Sequence, residues 1–292
     1  MLKKGVLEGK VAIITGAGRG IGREIALAMS AEGASVVLAA RTFSEVEETA
    51  KLIHAKGKPA LAQALDVSDW DAVQKLTARV VQEFGTIHIL VNNAGILGAI
   101  GPLVENDPVA WEQAIRVNLL GTFYCCKAVL PFMIAQCYGK IISLSGGGAT
   151  AARSNFSAYG ASKAGIVRVM ETLAEELKAY NIQVNTIAPG AVNTRMLDEM
   201  LAAGAQAGAK VQVEAENQQK MGGTSPEVAA SLAVFLASDA SIGLTGRLIS
   251  APHDDWRKWD ENGIKAVMAA PWFTLRRIDP YTLKQIESKR LA

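Results

Sequence analysis

Seven short apolar runs recur along the chain, each separated from the next by a longer stretch with helical spacing. The runs lie at 11–15, 35–39, 60–65, 87–91, 139–144, 182–188 and, with a weaker pattern, 247–250. Helical patterns occupy 20–32, 43–56, 69–84, 108–136, 157–180 and 226–237. A strand that must cross a helix before pairing with the next strand joins it in parallel. Parallel sheets need helices on both faces to cover them. The expected fold class is therefore α/β: one domain on a doubly wound parallel seven-stranded sheet, followed by a C-terminal extension. Val73, Leu76, Val80 and Phe84 mark one buried helical face, and Ile166, Met170, Leu173 and Leu177 mark another. Thr224 and Glu227 have capping-box spacing around Pro226, which predicts where the last of these helices starts.

At 292 residues, half of them hydrophobic, the chain is long enough for one large α/β domain. Its net charge of +2 comes from interspersed acids and bases, so no basic stripe points to a nucleic-acid partner. No run of 18 apolar residues suggests a membrane span, and "VAIIT" is too short for a signal h-region. Cys125, Cys126 and Cys137 show neither metal-ligand spacing nor a disulfide pattern, and no metal is expected. A reduced, cytoplasmic protein is the expectation. Residues 193–223, rich in Ala, Gly and Gln, read as a mobile helical segment. Residues 251–292 carry Trp256, Trp259, Trp272, Phe273 and Tyr281 and read as a docking segment. His54, His88 and His253 have no partner pattern and read as surface or strand-end residues.

In an open parallel sheet, ligands bind beyond the carboxyl ends of the strands, where the strand order reverses. The unusual glycine and polar clusters all fall at such ends: "TGAGRGIG" (15–22), "NNAG" (92–95), "SLSGGG" (143–148) and "APG" (188–190). The first is a glycine turn between strand and helix, a form that offers helix N–H groups to a phosphate. "YGASK" then sets Tyr159 and Lys163 four residues apart, on one face of the helix after the fifth strand. A nearby ammonium favours phenolate, so this pairing predicts a Tyr159 pKa lowered toward neutrality, suited to proton exchange with a carbonyl or alcohol.

Together with "PGAVNT" (189–194), these motifs resemble the short-chain dehydrogenase/reductase family over residues 8–250. The resemblance implies a Rossmann-like domain over 1–250 with 193–223 as substrate lid, and 251–292 as an extension packing on the domain or a neighbouring subunit. It implies a nicotinamide dinucleotide as cofactor. Gly16, Gly20 and Gly22 match the cofactor turn, with Ile21 among them. Asp66 and Val67 match the adenine side, and Asn92, Ala94 and Gly95 the cofactor floor. Pro189, Gly190 and Thr194 match the nicotinamide end, which Tyr159 and Lys163 also contact. Asn118 matches the asparagine whose backbone opens beside Lys163 in a proton relay. Family members most often carry serine thirteen residues before tyrosine, where this chain has Gly146; Ser145 is the expected catalytic serine and Ser143 the alternative. Dimers or tetramers are implied, through helices 108–136 and 157–180, with Cys125 and Cys126 buried between them.

The second strand ends "VVLAART", with Ala40 where an acid would bond the ribose of NAD and Arg41 next to it. Arg41, with Arg19 as a second candidate, suits a 2′-phosphate, so NADP(H) is the expected cofactor and NAD(H) the weaker one. The expected partner is a small carbonyl or alcohol substrate, a ketone or β-ketoacyl compound among the candidates. A catalytically silent NADP-binding scaffold or sensor of the same fold is the alternative.

Overall fold

The structure, a computed structural model, describes residues 5–279 and 282–283. Tyr281, one of the tail aromatics, lies outside the described residues. The chain runs β1 (Val11–Thr15), α1 (Gly20–Ala31), β2 (Ser35–Ala40), α2 (Phe43–His54), β3 (Ala60–Ala64), α3 (Trp70–Phe84) and β4 (Ile89–Asn92). It continues through α4 (Pro108–Ala114), a π-helical turn (Ile115–Leu120), α5 (Gly121–Ala135), β5 (Gly139–Leu144), α6 (Ser157–Glu176) and β6 (Ile182–Ala188). Then come α7 (Arg195–Ala202), α8 (Ala209–Met221), α9 (Pro226–Ala237), β7 (Arg247–Ser250) and α10 (Glu261–Ala269). All seven strands pair in parallel in the order β3-β2-β1-β4-β5-β6-β7. The order reverses between β1 and β4, so the crevice forms above these two strands.

Alternation along the strands splits the core into two layers. Ile14, Val36, Leu38, Val91 and Ile142 face α1 and α9, whose Ile25, Met29, Leu232 and Leu236 are buried against them. Each such leucine contributes about 2 kcal/mol of burial. Ile13, Val37, Leu90, Ile141 and Val184 face the other way, toward α3, α5 and α6. Cys125 and Cys126 belong to this second layer, inside their own chain rather than between subunits, and burial raises both thiols well above their usual range. The continuous helix Pro108–Ala135 is long and apolar enough by composition to cross a membrane. Here its inner face, including Val129 and Met133, is core.

Sequence expectation and structure part at three places. The cap of α9 is Ser225, not Thr224: its Oγ accepts from the Glu227 N–H at 3.3 Å, since the cap must directly precede Pro226 at the first helical position. The single pattern 108–136 contains the π turn, and α6 stops at Glu176 rather than 180. Past residue 250 the chain packs on its own domain, one of the two placements expected for the extension. Trp256 is buried, its ring 5.6 Å from Phe235 and its indole N–H on the Ala251 carbonyl, and Ile264 and Val267 join the α1/α9 layer. Arg247 donates to the carbonyls of Val267, Met268 and Ala270, while Leu248 N–H bonds the Phe273 carbonyl at 2.6 Å. The extension thereby covers the open edge of β7, which otherwise would present unpaired N–H groups.

Candidate active site

The turn after β1 is built so closely that only glycine fits. Gly16 and Gly20 have φ of 66° and 53°, and a β-carbon on Gly22 would lie 2.2 Å from the Gly16 carbonyl oxygen. Asn93 stitches this turn to the end of β4: its Nδ2 donates to the carbonyls of Thr15 and Gly16, and Thr15 Oγ1 accepts from the N–H groups of Asn93 and Ala94. Sequence reasoning chose Asn92 for the floor of this groove. The structure instead buries Asn92 beneath it, donating to Ser143 Oγ and Cys126 Sγ, because successive residues at a strand end point to opposite faces. Asn93 is the residue that lines the cavity. The doubled asparagine of "NNAG" was the signal for it.

A cavity of about 1020 Å³ opens over the carboxyl edge, lined among others by Ile21, Pro189, Gly190, Thr194, Ser145, Tyr159 and Lys163. Ser145 lies one residue past β5, and its Oγ is buried without a hydrogen-bond partner. Ser143, the alternative, is spent in the core, donating to Met170 Sδ. At Gly146 a β-carbon would lie 2.2 Å from Tyr159 Oη, so a serine thirteen before the tyrosine cannot be accommodated in this backbone.

Lys163 is 3% exposed and donates to the Leu144 carbonyl at 2.8 Å, with its Nζ 5.6 Å from the centre of the Tyr159 ring. Gly95 closes this corner: a β-carbon there would sit 3.2 Å from Asn118 Oδ1 and 3.6 Å from Lys163 Nζ. Asn118 is fully buried in the π turn, where the helix widens. Its side chain grips Ile96 through both N–H and carbonyl and donates to Ser162 Oγ. The structure thus brings Asn118, Gly95, Tyr159 and Lys163 together.

The expected acidic Tyr159 is corrected. Burial pushes its phenol up to about 12, and the charge that opposes the shift is Arg153. The same burial pushes the Lys163 amine down to about 8. In a low-dielectric setting desolvation disfavours the charged form of each group, phenolate and ammonium alike.

Farther along the edge, Asp66 spends one carboxylate oxygen on the N–H and hydroxyl of Ser68, and Val67 packs within reach of Gly121. Arg19 pairs with Glu45 at 2.8 Å, an acid shared with Arg195 at 3.4 Å, whereas Arg41 stands exposed without an ion pair among the described residues. His253 is an exposed residue just past the end of β7, as expected, and it also lines the cavity. α7 and α8 cover the cavity, and Asn155 Nδ2 ties the loop after β5 to the Gln206 carbonyl between them. Gly146→Ala is expected to lower the unfolding free energy by about 1–3 kcal/mol in urea titration and to displace the phenol. Unchanged stability with an unmoved ring in a crystal structure of the variant would contradict the overlap.

Residues 10–205 match the family model described as short chain dehydrogenase. A 3-oxoacyl-acyl-carrier-protein reductase of Thermotoga maritima is 37% identical over 83% of this chain and 96% of its own. An NAD+-bound xylitol dehydrogenase superposes with a TM-score of 0.79 at 30% identity, over 84% of this chain and 98% of that one. A levodione reductase does so with a TM-score of 0.77 at 27% identity, over 84% and 96%. With this sheet order, this edge and these relatives, the chain belongs to the short-chain dehydrogenase/reductase family and is an NAD(P)-dependent oxidoreductase.

Proposed function

We propose that the protein interconverts a secondary alcohol and a ketone at Ser145, Tyr159, Lys163 and Asn118, with NADP(H) as its preferred cofactor. The observation that carries this reading is the orphaned, buried Ser145 Oγ beside a Tyr159 hydroxyl in the same cavity. A buried hydroxyl without a partner costs about 1–3 kcal/mol, a penalty that a bound substrate oxygen relieves. The residues present suit a dinucleotide: backbone alone forms the turn at Gly16–Gly22, and Gly190, at φ 86°, opens the opposite side. Thr194, Ala94 and Gly95 would flank its nicotinamide end and Asp66 and Val67 its adenine end.

When bound, the cofactor supplies the hydride for reduction or accepts it in oxidation. In reduction, Ser145 donates a hydrogen bond to the carbonyl oxygen and holds the charge that develops there. Tyr159, kept neutral by burial, carries the proton that this oxygen takes up. In oxidation the alcohol proton returns to the tyrosine oxygen by the same route. Lys163 and Asn118 hold the tyrosine's corner of the site and connect it to the main chain at Leu144 and Ile96. The relatives act, by name, on an acyl thioester, a polyol and a dione, which supports the bond type and leaves the substrate open. A homo-oligomeric, cytoplasmic enzyme fits the same family reading.

NADP(H) preference rests on Arg41. β2 ends on Ala40 with no acid to meet a ribose hydroxyl, and the Arg41 guanidinium is uncommitted, while Arg19 is held by Glu45. One charge-assisted contact of about 1.5–3 kcal/mol corresponds to a preference of about tenfold or more. kcat/KM with NADPH is therefore expected to exceed that with NADH by about that factor, and Arg41→Asp to reverse the order; equal values for the two cofactors would remove the argument. Across a panel of ketones and alcohols read by NADPH absorbance, Tyr159→Phe is expected to lower kcat/KM by about 10²–10⁴-fold while NADPH still binds. A wild-type protein that binds NADPH and turns over nothing on the panel would favour the silent scaffold instead.

A further inference from the structure

Among the described residues, Arg153 is the one Lys or Arg on the cavity wall that is neither ion-paired nor fully buried. It projects from the loop between β5 and α6, half-buried, with its guanidinium 4.6 Å over the Phe156 ring. Its hydrogen bond goes to Met200 Sδ on α7 at 3.3 Å, a soft and weak acceptor. No carboxylate lies within ion-pair distance of it among the described residues. Glu214, the acid on the cavity wall, is turned toward Lys210 at 3.9 Å. A guanidinium offers five N–H groups in a planar fork, so most of Arg153's donors face the cavity or solvent uncommitted.

The surroundings of Arg153 are apolar. Leu97, Phe156, Tyr159, Ala207 and Val211 form a small buried cluster, with Met196 and Met200 packed against it. The phenol is near enough for the arginine's charge to act on its proton affinity. The wall therefore combines a hydrophobic surface suited to a compact carbon skeleton with one fixed, unneutralised positive fork near the reacting hydroxyls. The fork is held between an aromatic ring and a thioether with no carboxylate to neutralise it, so an anion that enters the cavity meets uncommitted donors.

We infer that Arg153 is a specificity-determining residue and that the substrate is an oxo or hydroxy compound with an apolar body and a carboxylate group, which Arg153 binds in bidentate fashion. This inference rests on the proposed alcohol–ketone chemistry at Tyr159 but concerns a different contact. Arg153 holds the anionic end of the molecule and the apolar cluster its body. Met200, at the far side of the guanidinium, orients the fork and links substrate binding to α7. A carboxylate arriving at Arg153 replaces the sulfur contact with a stronger, charge-assisted one.

The test uses binding rather than turnover, so that it stands apart from the proposed reaction. Cyclohexanecarboxylate and its neutral isostere cyclohexanecarboxamide are titrated by calorimetry into the full-length protein saturated with NADP+, at pH 7. The carboxylate is expected to bind at least about tenfold more tightly than the carboxamide to the wild type. Arg153→Met and Arg153→Gln are each expected to abolish that preference while leaving carboxamide affinity within about threefold, and Arg153→Lys to retain part of it. The two neutral variants guard against one of them failing to fold. Equal affinities in the wild type, no binding of either probe, or a preference that survives in both neutral variants would overturn the assignment. Failure of the alcohol–ketone panel with this binding preference intact would instead refute the reaction and leave the anion contact standing.

Discussion

The site depends on a buried ammonium. Lys163 lies on α6 one turn beyond Tyr159 and reaches back to the Leu144 carbonyl at the end of β5. Removing an ammonium from water costs several kcal/mol unless it is well hydrogen-bonded, and burial accordingly lowers its proton affinity. That cost ties the strand end to the helix at one place. Ser145 follows immediately after the anchored carbonyl, and Tyr159 stands on the same helical face, so the anchor sets the position of both hydroxyls. Asn118 supports the arrangement from the other side, its position fixed by the π turn and by the main chain of Ile96.

Around that anchor the sheet edge is thinned to backbone. Gly16, Gly22, Gly95 and Gly146 each stand where a β-carbon would meet another group, and at Gly146 that group is the phenol itself. The displacement of the serine by one residue follows from this contact. With glycine beside the tyrosine oxygen, the hydroxyl is carried by Ser145, whose N–H still pairs with the Ile187 carbonyl of β6 while its Oγ has no partner. The covering helices add the apolar wall, and Arg153 adds a guanidinium with no carboxylate partner among the described residues.

Much of this was legible in the sequence because it is local. Strand runs buried on both faces, the glycine turn, and the four-residue spacing of Tyr159 and Lys163 depend on neighbours a few positions away. The seven strands were found close to their observed limits for that reason. What was missed depends on three-dimensional surroundings. Asn93 rather than Asn92 meets the cavity because a strand end decides facing by one residue. His253 and Arg153 come to the wall through loops with no periodicity. For Tyr159, spacing shows that a cation is near but not how deeply both groups are buried, and burial acts on the phenol in the opposite direction. The aromatics of the extension marked it as a docking segment, but not which surface it docks on: Trp256 and Arg247 find their partners through long-range packing against Phe235 and the carbonyls of Val267 and Ala270.

The central claim is that burial, more than the neighbouring amine, sets the resting state of the pair, with a neutral phenol ready to give up a proton. Carbon-13 NMR of tyrosine labelled at the ring ζ position, assigned with the phenylalanine variant at 159, measures this directly across a pH titration of the protein alone. The account predicts that the Tyr159 resonance keeps its phenol shift to beyond about pH 11, in line with a pKa pushed up to about 12. A midpoint below about pH 9 would show the amine's charge in command and contradict it.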